Sequence, residues 1–481
     1  MVATDSGEVR GIEGFATQAF LGIPFAAPPV GERRWEAPAP VRRWSGVRDA
    51  THLAQPCAAQ ISGDGPRIAN EDCLYLNLYR PNDAMPGEAL PVMVFLHGGG
   101  NFSGSTRIYD GVRMAEVGHA IVVIAAYRLG IFGSLALPEL GRSSGTFMLE
   151  DHLAALHWVQ RNIAAFGGDP HDVTLSGQSS GGTDVCNLIA APAAAGLFRQ
   201  AIVQSGLCSG GTFEGPSLPV AEKKGADVAR GLGCMGTHVV ACLRSKSTGA
   251  LLDAWKGPSG SAYGSPLLPI SAPVAFATGA FNRVPVLIGF TRDEWWSFEH
   301  ALYPLSEDGY RKQLAATFRD RAAHVAALYP TANYPHREYA LGAAVGDSLI
   351  ICPALKTAAT LSHVTSVSVY QFADRTVPPW KSLGIAQTRP PGYDPGAGHT
   401  ADLEYLLNYQ AAEGPLDATQ RRLGDRMIEY WVGFNRAQPS LWPTFHADAP
   451  SALEFGAHGE SIAPNPTVGA EHHCGFWNGA S

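Results

Sequence analysis

Between Val173 and Gly182 the chain reads VTLSGQSSGG, and few stretches leave so little choice of local conformation. Val173-Thr174-Leu175 has the composition of a buried strand end, and Gly177-Gln178-Ser179-Ser180-Gly181 then fits the pattern G-x-S-x-G. That pattern is a tight strand-to-helix turn that lifts a serine into a strained, exposed position. Glycines flank it because the incoming helix crowds the turn, and a side chain there would clash. Five residues of this kind also occur in ordinary glycine-rich connections. The reading gains weight from its surroundings: a strand before, the apolar segment Asp184–Ala190 after, and complementary groups elsewhere.

Those surroundings alternate between two periodicities. Leu90–Leu96 (LPVMVFL) and Ala120–Tyr127 (AIVVIAAY) are near-continuous apolar runs, as in strands buried on both faces. Gln200–Gln204, Pro285–Phe290 and Ser366–Phe372 complete the set of expected sheet strands. Between Leu149 and Phe166 the period becomes helical, with Leu153, Leu156, Val159 and Ile163 on one face. Gly167-Gly168-Asp169-Pro170 stops that helix, and Ala418–Asn435 is a second, long amphipathic one. The Pro-, Gly- and Trp-rich N-terminal stretch holds short strand candidates at Glu8–Ile12, Ala19–Ile23 and Leu74–Tyr79, an antiparallel edge leading into loops. Strands alternating with helices predict a mainly parallel sheet covered on both faces. At 481 residues the chain is long for one domain, yet no repeat, low-complexity tract or linker divides it. One catalytic domain over 1–481 is the expectation.

Composition excludes several classes of partner. The formal net charge of -8 is mild, and no basic run offers a surface to nucleic acid or anionic lipid. No apolar run reaches the roughly 18 residues of a membrane span. Met1-Val2-Ala3-Thr4-Asp5 lacks the charged and apolar regions of a secretory leader, and the end at Ser481 carries no lipid-anchor signal. The eight cysteines form no C-x-x-C pair, so zinc and dithiol chemistry have no support. Cys57 and Cys73, Cys234 and Cys242, and Cys352 and Cys474 stand at suggestive separations, with Cys186 and Cys208 left over; free thiols and disulfides are equally open on this ground. A monomer acting on a small molecule, with neither metal nor cofactor, is expected.

A serine hydroxyl needs a base within hydrogen-bond reach, an acid to orient that base, and donors for the developing oxyanion. His97-Gly98-Gly99-Gly100 follows the buried run Leu90–Leu96 directly; glycines there let backbone N–H groups approach a substrate, although a flexible turn would read alike. Asp293-Glu294 follows the strand Pro285–Phe290, at the strand end where α/β sites lie, and a solvated charge pair is the alternative. Of 16 histidines, His399 sits in Gly396-Ala397-Gly398-His399 before the apolar segment Leu403–Leu407, while His472 and His473 also follow the acid. Position favours His399, although any single histidine is more often structural or exposed than catalytic.

Further stretches resemble type-B carboxylesterases of the cholinesterase-like group, from near residue 7 to residue 478. Phe20-Leu21-Gly22-Ile23-Pro24-Phe25-Ala26-Ala27-Pro28-Pro29 and Arg34-Trp35 are similar to that family's opening. Glu71-Asp72-Cys73-Leu74-Tyr75-Leu76-Asn77 matches its second signature, and Phe166-Gly167-Gly168-Asp169-Pro170 leads into the serine turn. The resemblance implies an α/β-hydrolase fold, with a central, mostly parallel sheet, a small N-terminal antiparallel edge and insertions over the active site. It implies ester hydrolysis, with Ser179 as nucleophile, Glu294 as acid beside Asp293, and His399 as base. Gly99, Gly100 and the Ser180 N–H would form the oxyanion hole, and Ser205, in Gln204-Ser205-Gly206, would support the acid. It also implies disulfides Cys57–Cys73, Cys234–Cys242 and Cys352–Cys474, and leaves Cys186 and Cys208 unassigned.

The departures from the family pattern carry information. Trp295 stands where a glycine usually follows the acid, and Thr400 replaces a glycine after the histidine. Gln178 precedes the nucleophile where many members carry glutamate, and the Cys57–Cys73 loop has no tryptophan on which a choline head group could stack. Both features argue against choline esters and for neutral, fairly apolar ones. Amides, carbamates and aromatic or polymer esters are the alternatives within the class, and a non-catalytic adhesion protein the alternative outside it. Tyr263–Pro273 is expected on the acyl side, with Trp295, Trp296 and Phe298 at the entrance. Only seven of the 35 basic residues are Lys, and the sequon Asn101-Phe102-Ser103 adjoins the oxyanion loop, where a glycan would obstruct the site. A secreted or periplasmic bacterial enzyme fits both.

Overall fold

The computed structural model describes residues 1–59, 67–210, 215–257, 259–379, 390–409, 414–435 and 441–479. In chain order its strands are β1 (Val2–Thr4), β2 (Gly7–Arg10), β3 (Ile12–Glu13), β4 (Thr17–Pro24), β5 (Val47–Asp49), β6 (Tyr75–Pro81) and β7 (Leu90–Leu96). They continue with β8 (Ile121–Ala125), β9 (Gly168–Gln178), β10 (Gln200–Gln204), β11 (Val286–Thr291), β12 (Val367–Phe372), β13 (Ala452–Phe455) and β14 (Ile462–Asn465). Eleven of them form one sheet in the order β14-β13-β12-β11-β10-β9-β7-β8-β6-β4-β3. From β8 to β13 every pair is parallel, while β8-β6-β4-β3 is an antiparallel edge.

The apolar runs form the middle of this sheet because both of its faces are covered. Along β7, Val92, Val94 and Leu96 enter one core, and Met93 and Phe95 enter the other. In β8, Ile121, Val123 and Ala125 alternate with Val122 and Ile124 in the same way. The helix Phe147–Asn162 covers the first face through Leu153, Leu156 and Val159, and a 3₁₀ turn holding Ile163 extends it to Phe166. The helices Ala401–Leu407 and Ala418–Asn435 cover the second, with Leu403, Leu406, Leu423, Met427 and Trp431.

Two expectations need correction at the level of elements. Glu8–Ile12 is not one strand: β2 pairs with β1 and β5 in a separate three-stranded sheet, and β3 joins the large one. The break falls at Gly11, where a Cβ would lie 2.4 Å from the Ala19 carbonyl oxygen. The strand that leads into the serine turn also starts earlier than Val173, since β9 runs from Gly168 through Asp169-Pro170. One helical stretch, Arg337–Ser362, is long and apolar enough to cross a membrane. Its apolar window is 72% buried inside the protein, which is how a core helix passes the same test. All eight cysteines are paired: Cys57–Cys73, Cys234–Cys242, Cys352–Cys474 and, beyond expectation, Cys186–Cys208. The last joins the helix after the serine turn to the segment after β10.

Register fixes where the parallel strands stop. Leu96 stands beside Gly177, Gln178 beside Gln204, Gln204 beside Gly289, and Thr291 beside Phe372. The loops after β7, β9, β10 and β11 therefore leave the sheet along one edge.

Candidate active site

Ser179 caps the helix Ser180–Ala190 with φ 57° and ψ -124°, a conformation that glycine enters freely and other residues only when held. The holding is visible on both sides. The Ser179 N–H donates to Gln204 O at 2.8 Å, and its carbonyl accepts from Thr183 N at 3.0 Å. A Cβ on Gly177 would lie 2.5 Å from Gly181 O, and one on Gly181 would lie 2.2 Å from Leu96 O. The crowding anticipated for this turn is real and comes from its own helix and from β7.

The loop after β7 lies beside the same turn. Gly99 and Gly100 have φ of 121° and 64°; a Cβ on Gly99 would sit 2.3 Å from Ser103 O. Among the described residues their N–H groups donate to no protein acceptor, and Ser180, first in its helix, has no intrahelical acceptor for its own. Asn101 locks the loop in place. Its N–H donates to Ser180 Oγ at 3.1 Å, its Nδ2 to Asp184 Oδ1 at 3.3 Å, and its Oδ1 accepts from Tyr127 at 3.1 Å. That side chain is 2% exposed, so the sequon at Asn101 is used by the fold and offers no acceptor at the surface. His97 is stacked on Tyr127 at 4.4 Å, and burial pushes its pKa down to about 4, which keeps it neutral.

The acid turn separates two neighbouring carboxylates by what they touch. Asp293 forms a two-pronged pair with Arg375, at 2.7 and 2.8 Å, and also accepts from Ala397 N at 3.0 Å. Glu294 points the other way: Oε1 accepts from Thr291 N at 2.8 Å, and Oε2 lies 2.6 Å from Nδ1 of His399. The His399 N–H donates to Glu294 O at 3.2 Å, so ring and backbone are both tied to the acid. Glu294 and His399 are 1% and 5% exposed. On its other side, Nε2 of His399 stands 3.1 Å from Nε2 of Gln178.

Not every expected neighbour takes part. Ser205, which has φ 51°, donates its N–H to Gly289 O at 2.7 Å, but among the described residues its buried Oγ has no hydrogen-bond partner, Glu294 included. Trp296 is 7% exposed and stacks on Tyr339 at 4.3 Å, so it belongs to the core and not to the entrance. Phe298 is half-buried with its ring 5.3 Å from that of His399, and Trp295 packs on Phe298 at 4.6 Å. In Tyr263–Pro273, Tyr263, Leu267, Leu268 and Ile270 pack on the main core. Trp295 has φ -95°, an ordinary right-handed value, so the turn does without the glycine common there. Thr400 does take a left-handed φ of 78°, at the cost its β-branched side chain implies.

Two participants had no signal in the sequence. Arg375 removes Asp293 from competition for the histidine, from 82 residues away. Asp402 lies under the site, where Gln204 and Tyr370 donate to its Oδ2 at 2.9 and 2.7 Å; burial raises its pKa, which those two bonds partly offset.

A half-buried serine in a strained turn, a histidine held by a buried glutamate, and glycine-loop N–H groups with no acceptor among the described residues thus share one sheet edge. The profile of the carboxylesterase family matches residues 1–477. The chain belongs to that family. Similar proteins include fumonisin B1 esterase of Sphingopyxis macrogoltabida, 33% identical over 96% of this chain and 88% of that protein. Acetylcholinesterase of Bungarus fasciatus is 32% identical over 99% and 86%, and cocaine esterase of Oryctolagus cuniculus 31% over 92% and 90%. This carboxylesterase-family chain is a carboxylic ester hydrolase on an α/β-hydrolase fold.

Proposed function

We propose that the protein hydrolyses neutral, fairly apolar carboxylic esters through an acyl-enzyme on Ser179. His399 takes the Ser179 proton as Oγ attacks the ester carbonyl, and Glu294 holds the ring by Nδ1 and stabilises the imidazolium. The tetrahedral oxyanion is met by the N–H groups of Gly99, Gly100 and Ser180. The alcohol leaves with the proton from His399, and a water deprotonated by the same nitrogen releases the acid from Ser179. The observation that carries this reading is the 2.6 Å contact of Glu294 with His399, whose opposite edge meets Gln178 in the serine turn. The neutral Gln178 beside the nucleophile and the Cys57–Cys73 loop without tryptophan leave a cationic choline head group without its partners. The half-buried rings of Trp295 and Phe298 beside His399 favour aromatic esters as a second reading. Four disulfides support an oxidising compartment, secreted or periplasmic, with residues 1–481 acting as one catalytic domain.

Ser179→Ala should lower turnover of p-nitrophenyl esters by several orders of magnitude and abolish fluorophosphonate labelling, with thermal stability kept. Retention of full activity would overturn the assignment. A panel of p-nitrophenyl esters of increasing acyl length, run beside aromatic diesters and a choline ester, should rank the choline ester last.

A further inference from the structure

The base has a partner that the ester-hydrolysis scheme does not use. Glu294 Oε2 lies 2.6 Å from Nδ1 of His399, and the other oxygen of this buried carboxylate already accepts from Thr291. A carboxylate at that distance requires a proton on Nδ1. In the neutral ring Nε2 is then a bare lone pair, and a buried lone pair needs a donor. The Gln178 amide nitrogen, 3.1 Å away, is that donor, whereas the carbonyl end of the same amide would repel it. Among the described residues no bond joins Ser179 Oγ to His399. Gln178 itself is 1% exposed and confined: a Cβ on Gly98 would come within 2.7 Å of its Oε1.

We propose that Gln178 is a positioning residue for the base, its amide capping Nε2 of His399 until substrate brings the Ser179 hydroxyl into that place. Glutamine is suited to this because an amide presents a donor at one end and an acceptor at the other. It satisfies the bare lone pair as donor, and by turning over it accepts from the protonated ring. A glutamate in its place could only accept, and so would favour the imidazolium. The charged groups facing the ring are Glu294 from the turn after β11 and Asp402 from the helix after His399, while Asp293 is neutralised by Arg375. Gln178 thus leaves Glu294 as the acid bonded to the ring, with Nε2 on the opposite edge met by the amide from the serine turn.

The proposal rests on the serine-hydrolase reading, and the test separates the two. Wild type, Gln178→Glu and Gln178→Met are titrated with a fluorophosphonate, and rates are expressed per labelled site. Failure of wild type to label would defeat the hydrolase reading itself, whereas the two variants probe the amide alone. In Gln178→Glu the acidic limb of the pH profile of kcat/KM should move up by about one pH unit or more. In Gln178→Met, of similar volume but without the amide, kcat per labelled site should fall about tenfold with KM within about twofold. An unmoved acidic limb together with an undiminished kcat would overturn the proposal. Should a variant not fold, ¹⁵N spectra of histidine-labelled wild type decide. The His399 ring, assigned by its loss in His399→Gln, should carry its proton on Nδ1 at neutral pH, and a proton on Nε2 would overturn the proposal.

Discussion

Ser179 is held in a backbone conformation that costs a non-glycine residue about 1–3 kcal/mol, and its neighbours hold it there through two backbone bonds and two glycine contacts. Such strain does not favour stability, and it is the conformation of a strand-to-helix turn that presents its serine. Ser179→Gly should therefore melt at a higher temperature than wild type while losing ester turnover; a lower melting temperature would show that the turn is unstrained. The serine turn and the glycine loop were legible in the sequence, since each is a local pattern with a chemical reason, and so were Glu294 and His399 as candidates to meet. The contacts that select among them were not. Nothing in Asp293-Glu294 says which carboxylate reaches the histidine, because the answer lies in Arg375. Gln178 and His399 meet across 221 residues, a separation over which no periodicity operates.

Elements were legible in proportion to their burial. β7 ends where its apolar run ends, at Leu96, because both faces are covered and every residue carries the signal, while β10 carries it in Ala201-Ile202-Val203 between two buried glutamines. β13 and β14 are short and partly exposed, so their pattern is faint. The strand over Gly168–Asp172 was hidden by turn-forming residues that pair at the sheet's end. The short helix Trp296–Glu299, just past the acid turn, illustrates an element stabilised only by its setting. There Glu299 is raised to about 7, chiefly by burial and then by Glu338. A carboxyl whose folded value exceeds its unfolded one contributes stability that is complete below about 4.5 and is lost as pH rises through about 7. Glu299→Gln, which mimics the protonated form, should thus match wild type at pH 4.5 and exceed it at pH 8, by at most about 3 kcal/mol. Equal melting temperatures at pH 8 would contradict this.

At the scale of the whole molecule, the C-terminal segment is bound back onto the acid side of the sheet. Arg292, next to the acid turn, pairs with Glu454 of β13 and with Glu471, at 3.3 and 2.8 Å. His472 lies between Asp347 and Gln371, at 2.6 and 2.7 Å, and the Gln371 amide nitrogen is spent on Glu454. Both ring nitrogens thus face acceptors: burial pulls the His472 pKa down, but Asp347 beside it more than offsets this and raises it, and this setting distinguishes it from His399, whose Nε2 faces an amide nitrogen. Next to it, Cys474 is bonded to Cys352, so the stretch between them, His399 included, lies within a single covalent loop. A chain closed in this way can be cut without being divided. A single proteolytic nick inside the loop should leave one particle of unchanged mass that still labels at Ser179, and adding a reductant should release a fragment and the activity with it. That bond would hold the two halves together after a first cut.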